Sequence, residues 1–300
     1  MNDTSPNAGP PPPTVDTSAV GEIAADVFVI PDHRVPLVPN IGIIGGRDAV
    51  LVVDTGMGPA NGTKVLEAAR RIAGGRKIVL TLTHFHPEHG FGAQAFKGSA
   101  RITYNRAQRD ELAAKGAGYL GMFRTFGPGV AAALEGTELA MPDDVYDGER
   151  TTIDLGGRSV ELHSFGLAHT RGDQVAWLPA ERILFTGDLA EERIFPIFPW
   201  FPPNDADLDG AHWASVLTEL ERWRPATVVP GHGDVGDSRI LAAVRDYMVD
   251  LGNRVVARRK RGEAADAIVT ELGPVVRAEH PDWSSPEWID FAIRYYASLA

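Results

Sequence analysis

Cysteine is absent from all 300 residues, so disulfides, thiolate nucleophiles and thiolate metal ligands are excluded together. Long apolar runs are missing as well. No stretch approaches the roughly 18 consecutive apolar residues that a membrane-crossing helix needs. The residues from Met1 onward carry neither the positive segment nor the apolar segment of a secretory leader. Positive charge is scarce: the formal net charge is −11, which argues against a phosphate-tracking groove built from clustered Lys and Arg. The one dense basic run, Arg258-Arg259-Lys260-Arg261, falls in a helical pattern and reads as a solvated face. The expectation is a cytoplasmic protein acting on a small-molecule substrate, without nucleic-acid or membrane partners, and with a homodimer as an option.

With 44% hydrophobic and 23% charged residues, the chain has the composition of an ordinary globular protein. Residues 1–20 are rich in Pro, Ser, Thr and Asn, with four prolines in succession from Pro10 to Pro13, and read as a disordered tail. Residues 21–300 read as a single domain, with 236–300 a helical extension packed on it. Short apolar runs bounded by Gly, Pro and Asp predict strands over 48–54, 77–83, 101–104, 159–164, 174–178, 182–186 and 226–229. Helical periodicity marks 63–73, 106–114, 208–223, 238–261 and 286–299, with Asp237-Ser238 as an N-cap for the fourth.

Several of these strands stop abruptly in polar clusters: Asp54-Thr55-Gly56, His84 to His89, Thr186-Gly187-Asp188 and Pro230-Gly231-His232. Strand ends in layered α/β folds carry chemistry, because the scaffold is rigid and the loops beyond it are free to vary. A strand ending in Asp54 precedes one ending in His84, and a strand ending in Asp188 precedes one ending in His232, which hints at a duplicated unit.

The densest cluster is Thr83-His84-Phe85-His86-Pro87-Glu88-His89-Gly90. His84 and His86, two apart on an extended segment, can face the same side. Pro87 suits the first position of a helix and would put Glu88 and His89 in its opening turn. Three imidazoles and a carboxylate within six residues form a ligand set preferred by zinc, with tolerance for iron, manganese or cobalt.

This segment resembles the His-x-His-x-Asp-His signature of the metallo-β-lactamase superfamily, with Glu88 where the family has Asp. Further landmarks follow in the family's order: Gly166-Leu167-Ala168-His169-Thr170, Phe185-Thr186-Gly187-Asp188, Pro230-Gly231-His232-Gly233 and, upstream, Val53-Asp54-Thr55-Gly56. The resemblance, over about residues 25–235, implies an α/β (α+β) fold, a four-layer αββα sandwich of two mixed β-sheets with outer helices. It implies Zn²⁺, one ion or two, with Fe²⁺ or Mn²⁺ as the alternative. His84, His86 and His169 would hold the first ion. Glu88, His89 and His232 would hold the second, with Asp188 between the two ions. Asp54 and Thr170 would orient the ligands. Of the nine histidines, four remain outside this set, and among them His163, at a strand end near His169, is the candidate pocket residue.

The implied chemistry is hydrolysis, a metal-activated water attacking the carbonyl of an ester, lactone, thioester or amide, with Glu88 and Asp188 as the catalytic carboxylates. Glu is one methylene longer than Asp, about 1.5 Å of extra reach, so the second ion is expected to be the less firmly held. An alternative is a mononuclear iron oxygenase of the persulfide-dioxygenase type, using His84, His169 and Asp188. A true β-lactamase is another, and a metal-stabilised binding protein without activity a third. The aromatic, Pro-rich segment 194–203 suggests an apolar wall, with Phe198 and Trp200 as pocket residues, or else a subunit contact or a self-packed loop. Tyr119, Met122, Phe123 and Phe126, within 117–141, could form the opposite lip.

Overall fold

The computed structural model describes residues 12–300. The first sheet holds β1 (Gly21–Ala24), β2 (Val27–Ile30), β3 (Ile41–Gly45), β4 (Ala49–Val53), β5 (Lys77–Thr81), β6 (Arg101–Asn105) and β7 (Asp144–Tyr146), hydrogen-bonded in chain order. It is antiparallel from β1 to β4 and parallel from β4 to β7. The second sheet holds β8 (Arg150–Asp154), β9 (Ser159–Ser164), β10 (Gln174–Leu178), β11 (Ile183–Gly187) and β12 (Thr227–Pro230); only β11 and β12 run parallel. Both sheets are mixed, as the resemblance implied.

The helices are α1 (Gly58–Ala73), α2 (Pro87–Gly90), α3 (Arg106–Phe123), α4 (Pro128–Ala133), α5 (Gly210–Arg222), α6 (Arg239–Lys260), α7 (Ala265–Glu279) and α8 (Glu287–Ser298). Their apolar faces sort into layers. Val27, Val29, Ile44, Leu51 and Val53 of the first sheet meet Val160, Leu162, Leu178, Phe185 and Val229 of the second in a core between the sheets. The other face of the first sheet buries Val50, Val52 and Leu80 against Val65 and Leu66 of α1 and Leu112 of α3. The other face of the second sheet buries Val175, Trp177, Leu184 and Val228 against α5, α6, α7 and α8. Strands covered on both faces are continuously buried, which is why β3, β4, β10 and β11 are buried throughout and mostly apolar instead of alternating.

Several elements depart from the sequence expectation. Residues 12–20 pack on α1: Val15 is buried, its N–H donates to Asn61 Oδ1 at 2.9 Å, and Asn61 Nδ2 donates to Pro13 O at 2.7 Å. That part of the expected tail is docked, because Val15 and the polar Asn61 satisfy each other; residues 1–11 lie outside the described residues. The start of α6 is capped by Asp237, whose Oδ1 accepts from Arg239 N at 2.9 Å, whereas the Ser238 side chain makes no capping bond. Among the described residues, no helix is long and apolar enough to cross a membrane.

Candidate metal centre

Two parallel strand pairs aim their C-terminal ends at one point. Asp54 follows β4, and Thr83 to His89 follow its parallel neighbour β5. Asp188 follows β11, and Gly231-His232 follow its parallel neighbour β12. The pairwise rhyme in the sequence is thus a rhyme of two βαβ units, one in each sheet, meeting at the edge of the sandwich.

His84, His86, His169 and Asp188 form one group of donors able to hold a metal ion, and Glu88, His89, Asp188 and His232 a second, all of them buried. Asp188 divides the two. Its Oδ2 lies 3.8 Å from His84 Nε2 and 3.9 Å from His169 Nε2, while its Oδ1 lies 3.1 Å from His89 Nε2 and 3.6 Å from His232 Nε2. His86 turns Nδ1 inward, 3.0 Å from His84 Nε2 and 3.1 Å from His169 Nε2. Pro87 at the first position of α2 and His86 as its extended N-cap place Glu88 and His89 in the helix's single turn.

The outer nitrogens fix the rings. His89 Nδ1 donates to Asp54 Oδ2 at 2.8 Å, His169 Nδ1 to Ile197 O at 3.1 Å and His232 Nδ1 to Val38 O at 2.9 Å. His84 Nδ1 sits 3.1 Å from Thr83 Oγ1, and the Thr83 hydroxyl donates to Asp54 Oδ2 at 2.9 Å. With Nδ1 of His84, His89, His169 and His232 engaged outward, Nε2 is the atom that each of these four rings turns toward the cluster. Inside, Glu88 Oε2, His89 Nε2, His232 Nε2 and both Asp188 oxygens are buried with no hydrogen-bond partner. Buried polar atoms left unpaired in this way are costly, and a cation among them removes the cost; the donor set fits a metal.

Electrostatics agree with that fit. Burial, reinforced by the neighbouring imidazoles, holds His84 and His86 well below the usual histidine range, and burial brings His169 down to about 4, so these rings are neutral donors. Burial opposes charge on His89, but the Asp188 and Asp54 carboxylates outweigh it and push His89 up. Burial likewise opposes charge on Asp188, and the imidazoles of His89 and His232 override it, holding the carboxyl well below the usual range. Glu88, buried and close to the Asp188 charge, is pushed up to about 7.

Thr170 does not reach the rings. Its N–H and hydroxyl donate to the two Asp173 oxygens at 2.8 and 2.6 Å, pinning the turn that carries His169. Asp173, buried, is one residue the sequence reading missed. Asp32 and Asn40 are two more: Asp32 Oδ2 accepts from Gly233 N at 2.7 Å, and Asn40 Nδ2 donates to Pro230 O at 3.0 Å and Gly233 O at 2.7 Å, clamping the His232 turn. Single Asp and Asn residues in a loop carry no spacing that would single them out. Gly231 had a signal in its motif. A Cβ there would lie 2.1 Å from Asp188 Oδ1, so no larger residue fits between His232 and the dividing carboxylate.

A cavity of about 570 Å³ opens over His86, Glu88 and His232. Tyr119, Met122, Phe123 and Phe126 line one side of it, as the sequence suggested, and Tyr119 also stacks on His86 with ring centroids 5.0 Å apart. The segment 194–203 lines the other side, but through Ile194, Ile197, Pro199 and Phe201. Phe198 and Trp200 are corrected: Phe198 is fully buried against Trp213, Tyr295 and Tyr296, and Trp200 packs on the same core. The segment is an irregular loop in which Trp200 N donates to Phe198 O at 2.8 Å, and Phe198 and Trp200 fall on its core side while Ile197, Pro199 and Phe201 fall on its cavity side. His163 is corrected as well. Its ring rests on Trp223, centroids 4.6 Å apart, and its Nε2 bonds Glu161 at 2.8 Å, away from the cavity.

Two mixed sheets flanked by helices, with a histidine and carboxylate centre at the ends of two parallel strand pairs, define a class of metal-binding α/β sandwich. The model of the metallo-beta-lactamase superfamily matches residues 34–232, and the chain belongs to that superfamily. It is 30% identical over 92 residues to a metallo-beta-lactamase type 2 of Bacteroides fragilis, covering 30% of this chain and 35% of that protein. It is 24% identical over 269 residues to a linear primary-alkylsulfatase of a Pseudomonas strain, covering 77% of this chain and 49% of that one. The chain therefore spans between about a third and a half of the length of these two curated relatives. The solved stereoselective inverting sec-alkylsulfatase from Pseudomonas sp. superposes with a TM-score of 0.69 at 16% identity, covering 93% of this chain and 50% of that one.

Proposed function

We propose that this chain is a two-metal hydrolase, with zinc as the ion, that opens an ester or lactone carbonyl in an uncharged, partly apolar molecule. The observation that carries the proposal is the division of Asp188, one oxygen toward each donor group, in a cluster whose His86, Glu88 and His232 line an apolar cavity. His84, His86, His169 and Asp188 would hold one ion, and Glu88, His89, His232 and Asp188 the other. Bound ions there supply Lewis acidity and a water acidified into the neutral range. The chain's residues do the rest. Asp54 and Thr83 keep His89 and His84 in one tautomer and one orientation. Glu88, at the cavity floor, is placed to orient a water and accept its proton. The apolar lining excludes bulk water and takes the non-reacting part of the substrate.

The preference for an uncharged substrate follows from the lining. Arg34 is the one Lys or Arg among the lining residues, and it is already paired with Glu192 and, at 3.0 Å, with Asp234. Apart from the ions themselves, a substrate carboxylate would find no unpaired cationic side chain among the lining residues to bind. Hydrolysis of an alkyl sulfate is a second reading, favoured by the alkylsulfatase whose match extends over 77% of this chain, beyond the region matched by the superfamily. The test is a panel of 4-nitrophenyl esters, simple lactones, a β-lactam and an alkyl sulfate, assayed with zinc, after chelation and after zinc is returned. Ester or lactone hydrolysis lost on chelation and regained with zinc is expected. Activity that survives complete metal removal would refute the reading, and turnover of the alkyl sulfate alone would replace it with the second.

A further inference from the structure

The superfamily match ends at His232, yet the chain continues through three helices, and the last of them reaches back to the cavity. Trp288 and Phe291 of α8, with Ser284 and Ser285 just before it, line the wall that faces the α3 lip. Trp288 and Phe291 lie 5.1 Å apart by ring centroids, and Phe201 closes the group at 6.5 Å from Trp288 and 5.7 Å from Phe291. These three rings belong to two distant segments of the chain and meet at the cavity.

The wall is held rigidly. Phe195 N donates to Ser284 O and Ser284 N to Arg193 O, both at 3.0 Å, so the segment before α8 is tied to the loop that carries Phe201. Ile289, Ala292, Ile293 and Tyr296 are buried on the adjoining face of α8, and Tyr295 OH accepts from Gly210 N at 2.8 Å. A rigid aromatic wall offers contact area at little entropic cost, which favours selective binding of an apolar group. Ser284, Ser285 and Glu287 border the rings, while His86, Glu88 and His232 lie at the floor and Arg34 is neutralised by two carboxylates.

We propose that α8, with Phe201, is the specificity wall of this enzyme: Trp288, Phe291 and Phe201 bind an uncharged linear acyl or alkyl chain whose hydrolysable end lies over Glu88 and His232. The proposal names the substrate class of the hydrolase read above and rests on that reading. Each methylene buried along the wall contributes about 0.8 kcal/mol, so kcat/KM should rise by up to roughly fourfold per methylene until the cavity is full.

The experiment has two arms. In the first, kcat and KM are measured for 4-nitrophenyl esters from acetate to dodecanoate with wild type, Trp288→Ala and Phe291→Ala. The expected result is a kcat/KM that climbs with chain length in wild type. In both variants the climb should flatten, with losses of tenfold or more on the longest esters, carried by KM, and zinc content unaltered. In the second arm, binding of unreactive primary alcohols, from butanol to decanol, is measured by calorimetry with the same proteins. Decanol should bind more tightly than butanol to wild type and lose that advantage in the variants. Esters hydrolysed without any chain-length preference would overturn the wall while leaving the hydrolase reading intact. Chain-length-dependent alcohol binding without ester hydrolysis would leave the wall in place and overturn the ester reading alone. Should Phe291→Ala fail to fold, Trp288→Ala and Phe201→Leu decide the outcome, and unaltered long-chain binding in both overturns the proposal.

Discussion

Asp54 Oδ2 accepts the Nδ1 proton of His89 at 2.8 Å, and this bond turns His89 Nε2 to within 3.1 Å of Asp188 Oδ1. Asp54 keeps its place because its Oδ1 also accepts from Thr83 N at 2.7 Å, in a left-handed backbone conformation with φ +69° that few non-glycine residues adopt. Asp54→Ala should therefore weaken metal binding at the Glu88–His89–His232 group by about 10- to 100-fold, the usual effect of losing such a partner. Competition with a chromophoric chelator measures this. An unaltered affinity for both ions would show that the bond does not govern His89.

Glu88 tests whether the site has adapted to its longer carboxylate. It lies in the single turn of α2, with an oxygen close enough to His89, Asp188 and His232 to share an ion with them. The geometry is met with Glu in place. Glu88→Asp would pull the carboxylate back by about 1.5 Å and leave a gap, so zinc content and kcat should both fall, with Glu88→Ala lower still. Zinc content at or above the wild-type level in Glu88→Asp would mean that the family's shorter residue suits this backbone better.

The same residue gives the metal-free protein a pH dependence. Burial pushes the Glu88 carboxyl from 4.5 up to about 7 in the folded chain. A folded value above the unfolded one means that this group's share of stability is complete below about pH 4.5 and is lost as pH rises through about 7, some 3 kcal/mol in all. Glu88→Gln keeps the shape without the charge. Urea unfolding of the two metal-free proteins between about pH 5 and pH 8 should show the variant gaining stability relative to wild type as pH rises. Parallel pH profiles would show that Glu88 carries no such strain.

Phe198 and Phe201 separate packing from binding within one loop. Phe198 is fully buried against Trp213, Tyr295 and Tyr296, so Phe198→Ala should cost roughly 3–5 kcal/mol of stability. Phe201 faces the cavity, and Phe201→Ala should raise KM with a smaller loss of stability. Denaturant midpoints together with KM values check both. A stability loss at Phe201 equal to that at Phe198 would place Phe201 in the core too.

The site was legible because its residues are concentrated. His84 to His89 sit in one segment whose spacing marks a metal site, while His169, Asp188 and His232 came forward through the resemblance of the short motifs that hold them. The strands that position them were legible where apolar runs end in Gly or Asp, as at β4 and β11, or in the histidine cluster, as at β5. β8 was not, because its pattern Arg150-Thr151-Thr152-Ile153-Asp154 is polar and half exposed at a sheet edge. β1, β2 and β3 and the short β7 were also absent from the expectation. α7 was hidden by Pro274 inside it, a residue that ordinarily ends a helix. The side on which Phe198 falls depends on the register of an irregular loop, and register there is set by contacts with α5 and α8 that no local pattern encodes. The role of α8 at the cavity was invisible for the same reason. The apolar face at Ile289, Ala292 and Ile293 announces a helix packed on a core, but not that Trp288 and Phe291 on its margin reach the site.

The division of two ions by Asp188 is tested most directly by zinc stoichiometry, measured by elemental analysis on protein loaded with zinc and desalted. Wild type should carry two equivalents per chain, His232→Ala should keep the ion of the His84–His86–His169 group alone, and Asp188→Ala should retain less than either. Two equivalents retained in His232→Ala, or a single equivalent in wild type that His232→Ala leaves untouched, would contradict the account.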